Sequence, residues 1–102
     1  MKLANIEDLK KISVVQLANK NQFVITYSKD GELIKCFQSY KSLVAVYDVA
    51  NKVLFVSWLY WDYSKTTLKH FKMFVNEYTS FTYETKQQFI KEIKNNNNII
   101  LI

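Results

Sequence analysis

The hydrophobic period changes once along this chain, within Tyr60-Trp61-Asp62-Tyr63-Ser64-Lys65-Thr66-Thr67-Leu68-Lys69-His70-Phe71. Before this stretch, apolar residues come in short β-branched and aromatic runs that suit strands. After it they recur at helical spacing. The stretch reads as a strand-to-helix corner in a small α+β protein. At 102 residues the chain makes one domain over 1–102, with a single hydrophobic core.

The strand half begins after an expected amphipathic helix over residues 3–12, where Leu3, Ile6, Leu9 and Ile12 share a face and Asn5 is placed to cap. Residues 13–18 fit either a strand (Val14, Val15, Leu17) or another helical turn capped by Ser13. From Gln22 to Ser28, Phe23, Ile25 and Tyr27 alternate with Val24 and Thr26. Asp30-Gly31 uses the one glycine of the chain where a tight hairpin needs positive φ. Return strands follow over 32–38, 39–48 and 53–58, joined by short turns. This spacing predicts an antiparallel β meander of about four strands, followed by two C-terminal helices. Ser64 caps the first helix. At about 100° per residue, Leu68, Phe71, Phe74, Val75 and Tyr78 form a face packed on the sheet, opposite a stripe of Lys65, Lys69 and Lys72. The second helix is expected over 83–94, with Thr82 as its cap. The closing Ile99-Ile100-Leu101-Ile102 is apolar enough to pack as a short strand, or to dock on a partner chain as a homodimer contact.

The net charge of +5 comes from fourteen basic residues, all lysine. Arginine, the usual residue for bidentate guanine and phosphate contacts, is absent, which argues against sequence-specific DNA reading. One cysteine, Cys36, excludes an internal disulfide and suits a reducing cytosol as an inert core thiol. With one cysteine and one histidine there is no zinc site, and one glycine permits no phosphate loop. No cofactor is expected. The first residues lack a signal peptide pattern, and no apolar run is long enough to span a bilayer, so a soluble cytoplasmic protein without membrane contact is expected. His70 has no nucleophile or orienting partner at a useful spacing; Asp62 and Ser64 fit helix capping better than a triad. Packing at the border of the two helix faces is its expected role.

Surface recognition has more material. Trp58, Tyr60, Trp61 and Tyr63 crowd the corner. Either two of them pack under the helix and the others lie half exposed, or Tyr60, Trp61 and Tyr63 make an aromatic anchor flanked by Lys65, Lys69 and Lys72. Such a patch meets an acidic protein surface, or stacks bases while lysines meet phosphates. The lysine stripe by itself is most often just a solvated face.

Two segments, Phe37-Gln38-Ser39-Tyr40-Lys41-Ser42-Leu43-Val44-Ala45 and Trp61-Asp62-Tyr63-Ser64-Lys65-Thr66-Thr67-Leu68-Lys69, together with Glu84-Thr85-Lys86, carry a family resemblance. Over about residues 20–102 the chain resembles an uncharacterised small-domain family of phage and mobile-element proteins from low-GC Gram-positive bacteria. Leu68, where glycine is as common, and His70-Phe71 depart from its pattern. The resemblance implies an origin and attaches no catalytic activity. Small stand-alone proteins of such elements often act by binding and blocking a host protein. The expected function is therefore non-enzymatic inhibition of host defence, of anti-CRISPR type, on a Cas effector or its guide-RNA complex. The alternative is a nucleic-acid-binding accessory protein of phage replication or regulation.

Overall fold

The computed structural model describes residues 10–18 and 20–102. Six strands and two helices follow in the order β1 (Lys10–Gln16), β2 (Gln22–Lys29), β3 (Glu32–Ser39), β4 (Ser42–Asp48), β5 (Val53–Val56), α1 (Lys65–Tyr78), α2 (Lys86–Asn95) and β6 (Ile99–Leu101). All six strands lie in one mixed sheet in chain order. The first five form an antiparallel meander, and β6 joins β5 in parallel. A parallel neighbour needs a long crossover, and the two helices supply it.

The expected four-strand meander with an N-terminal helix is thus corrected to a six-strand mixed sheet, still of the α+β class. Most of the expected N-terminal helix lies outside the described residues. Its last three positions, Lys10 to Ile12, are strand: Lys10 and Lys11 pair with β2, as do Ser13 to Gln16, and Ile12 is the bulge between them. Pairing overrides a helical spacing that rested on few residues.

Local chemistry sets the turns. Asp30 and Gly31 both hold positive φ (53° and 82°) between the paired Lys29 and Glu32, the backbone of a tight hairpin turn. Between β4 and β5, the Asp48 carboxylate accepts from the Asn51 backbone N–H and from its side-chain amide at 3.2 and 2.8 Å. Ser64 caps α1, its hydroxyl accepting the Thr67 N–H at 3.1 Å. The second helix starts later than expected. Thr85, not Thr82, is its cap, in a reciprocal box with Gln88.

Both helices pack on one face of the sheet. Phe37 of β3 stacks on Phe74 of α1 at 5.7 Å, and Trp61, Phe71, Tyr83 and Phe89 close a cluster that ties the corner to both helices. The opposite face carries a second cluster of Ile34, Cys36 and Val46, flanked by Ile25, Tyr27 and Phe55. The register aligns Val14, Ile25, Cys36, Val46, Phe55 and Ile100 as one apolar row across all six strands. Period-2 alternation explains the two faces of β2 to β5, while every residue of β1 is exposed.

Candidate functional site

The corner between β5 and α1 is folded on itself. Trp61 and Tyr60 donate their N–H groups to Ser57 O at 3.1 and 3.2 Å, and Tyr63 donates to Tyr60 O at 3.2 Å. This coil sends neighbouring aromatics opposite ways. Trp61 turns inward, 6% exposed, with its ring 5.7 Å from Phe71 and 5.3 Å from Phe89. Tyr63 turns outward, 76% exposed, and meets the half-buried Tyr60 edge-to-face at 6.4 Å. Of the three expected anchor aromatics, two therefore reach the surface and one holds the corner.

Tyr60 and Tyr63 form one wall of a cleft of about 280 Å³ whose other lining residues are Ser39, Tyr40, Ser42, Val44 and Thr67. Its second wall is the β3–β4 hairpin. Tyr40 sits at the tip with φ 55°, fixed by its N–H to Asn21 O (2.6 Å) and by the Gln38 amide donating to its carbonyl (2.7 Å). The floor is polar. Ser64 Oγ donates to Thr67 Oγ1 at 3.1 Å, and Thr67 Oγ1 lies 3.2 Å from Ser39 Oγ. An aromatic-walled cleft with hydroxyls beneath buries a flat apolar group while fixing its orientation by hydrogen bonds. Tyr40 was missed in the sequence because hairpin pairing, not local spacing, brings it opposite Tyr63.

The expected lysines lie on the other flank of α1, around a shallower groove of about 240 Å³ lined by Lys65, Leu68, Lys69, Lys72, Tyr83, Glu84 and Lys86. Two carboxylates reduce its field. Lys72 pairs with Glu84 at 3.5 Å, and Lys86 with Asp62 at 3.1 Å while lying over the Trp61 ring. Among the described residues, Lys65 and Lys69 have no such partner. Lys86 belongs to this cluster and was reached only because α2 folds back beside α1.

His70 is fully enclosed rather than at a boundary. Its Nδ1 lies 2.7 Å from Thr66 O, and Nε2 has no hydrogen-bond partner. A ring at this depth has no access to a substrate. Gln22 is equally buried with both amide atoms unpartnered; it pairs in register with Ser39 at the base of the cleft. Burial pushes the Cys36 thiol up to about 12 and the Tyr83 phenol upward from its ordinary value. Neither group ionises near neutral pH. Among the described residues no cluster of metal-binding side chains occurs, and no helix is long and apolar enough to cross a membrane.

Fold and site together define a class: a small single-sheet α+β domain with a tyrosine-walled cleft at the N-terminus of its first helix. The chain belongs to DUF8033, a family of unknown function, whose model matches residues 1–92. Neither the curated proteins nor the solved structures contain a match to it. The family agrees with the resemblance to an uncharacterised small domain, and the matched span ends within α2, ahead of β6.

Proposed function

We propose that this chain is a non-enzymatic binding protein that docks on another protein through the tyrosine cleft. In its specific form the reading is a cytoplasmic inhibitor of host defence from a phage or mobile element, of anti-CRISPR type, directed at a Cas effector or its guide-RNA complex. One observation carries the binding role: three tyrosines from two separate elements converge on one cleft, with Tyr63 held out in water by the corner and Tyr40 by the β3–β4 hairpin. Tyrosine buries a large area with few rotors, which is why it is enriched where partners dock. Preorganised rings lose little entropy on binding.

Co-purification with candidate effectors, together with their nuclease activity in the presence of the protein, tests the reading. A stable complex is expected, lost in Tyr63→Ala and weakened in Tyr60→Ala, with thermal stability unchanged for Tyr63→Ala because the ring is exposed. No complex with any effector, and nuclease activity unaffected, would remove it.

A second reading, a nucleic-acid-binding accessory protein, is favoured by the groove of Lys65, Lys69, Lys72 and Lys86. It requires affinity that falls steeply with salt and is lost in Lys65→Glu/Lys69→Glu. The Glu84 carboxylate in the groove, and Asp62 paired with Lys86 of the groove, oppose a phosphate backbone, so the protein-docking reading is preferred.

A further inference from the structure

The first half of α1 carries its charges where they lower the stability of the free protein. Lys65 and Lys69 stand four residues apart and Lys72 follows three further on, so like charges neighbour one another along one face. Lys65 lies in the first turn, which holds no acidic residue, although the positive end of the helix dipole favours carboxylates there. Asp62, two residues before the Ser64 cap, is engaged by Lys86 at 3.1 Å. Among the described residues neither Lys65 nor Lys69 is paired with a carboxylate.

The groove between α1 and the start of α2 combines this charge with apolar surface. Half-buried Leu68 and buried Tyr83 line it together with the lysines. Lys86 enters from α2 in a fixed position, held by Asp62 and by the Trp61 ring 5.8 Å from its ammonium. Among the described residues Glu84 is the one carboxylate that lines the groove, and it is paired with Lys72 at 3.5 Å.

We propose that this groove receives a carboxylate-rich segment of a partner protein, lying across Lys65, Lys69 and Lys86 with an apolar side chain against Leu68 and Tyr83. Charge complementarity selects the sign of the partner. The apolar lining favours a polypeptide, whose carboxylates alternate with apolar side chains, over a phosphate backbone charged at every step. Glu84 gives the pairing a direction, because it repels a carboxylate placed at the Lys72 end. The repulsion that the free helix carries is relieved in the complex, an exchange of stability for function. The inference is independent of the tyrosine cleft, which Thr67 lines from α1 and none of the groove lysines does.

Fluorescence anisotropy of a labelled peptide in which glutamates flank a leucine is the test, with its glutamine counterpart and an oligothymidylate as comparisons. The glutamate peptide is expected to bind, more weakly as salt rises, and the glutamine peptide not to bind. Lys65→Glu is expected to weaken the complex about tenfold. The same substitution is expected to raise the urea midpoint, because the new carboxylate lies in the first turn and four residues before Lys69. Lys91→Glu, an equal change of charge at an exposed site outside the groove, and Tyr63→Ala are expected to leave peptide affinity unchanged. Any oligothymidylate binding is expected to fall equally in Lys65→Glu and Lys91→Glu, following net charge alone. No binding of the glutamate peptide, a loss shared by Lys91→Glu, or oligothymidylate binding lost in Lys65→Glu alone overturns the proposal. So does a urea midpoint lowered by Lys65→Glu, which would mean that carboxylates of the chain itself already meet Lys65.

Discussion

Tyr40 illustrates how much one residue can hide from its sequence neighbours. A φ of 55° is a conformation that costs an L-residue about 1–2 kcal/mol, and a bulky aromatic seldom adopts it. The hairpin tolerates it because two hydrogen bonds fix the peptide groups on either side. Asparagine occupies this region more readily, so Tyr40→Asn is expected to raise stability by about 0.5 kcal/mol in urea denaturation while weakening partner capture. A loss of stability would show that the ring contributes packing that its exposure conceals. The Asp30-Gly31 turn was legible because its residue types encode positive φ directly. Tyr40 was not, since nothing in Ser39-Tyr40-Lys41-Ser42 marks which residue carries the strain. Trp61 and Tyr63 divide similarly: both read as corner aromatics, and only the folded coil decides which one faces the core.

Among the elements, the helices owe their limits to caps. Ser64→Ala and Thr85→Ala are each expected to destabilise by about 1 kcal/mol, measured as a shift in urea midpoint at constant slope. The Ser64 loss should be the larger, because its hydroxyl also feeds the Thr67–Ser39 pair buried against the sheet. Equal losses would mean that the buried hydroxyl chain contributes nothing to stability. The sequence reading places the second cap at Thr82, which has the same side-chain chemistry as the observed cap Thr85 three residues later. Asn76 settles the choice by holding the Tyr83 backbone from both sides, at 2.9 and 3.1 Å, outside any helix. Strand β1 shows the opposite failure. The sequence spacing predicts helix through Ile12 and leaves Ser13 to Gln16 open between helix and strand, and the partner offered by β2 makes all of them strand.

For the molecule as a whole, the two-faced sheet makes stability depend on pH at the alkaline end. Cys36 lies in the cluster on the face away from the helices, where desolvation raises its thiol from 9.0 to about 12. Below the lower value both folded and unfolded chains hold the proton, and this group has no effect. Above it the unfolded chain ionises first and binds fewer protons, so stability falls as pH rises towards about 12. Tyr83 and Tyr27, both raised by burial, add loss in the same direction at higher pH. The urea midpoint is expected to decline more steeply above pH 9 in the native chain than in Cys36→Ala. Parallel declines in the two proteins would show that the thiol is accessible in the folded state.

Residue order by itself determined the α+β class, the strand-to-helix corner, the Asp30-Gly31 hairpin and the Ser64 cap. These features arise from interactions within a few residues or from a period repeated over many. Tertiary structure decided the rest: that residues 10–16 form an edge strand, that Ile99–Leu101 lies parallel to β5, and that His70 is enclosed. It also decided that Tyr40 stands opposite Tyr63 across a cleft, and that Lys86 joins the lysine groove. Each of these depends on a contact between distant parts of the chain, and local propensity is too weak to choose among the pairings that burial ultimately selects.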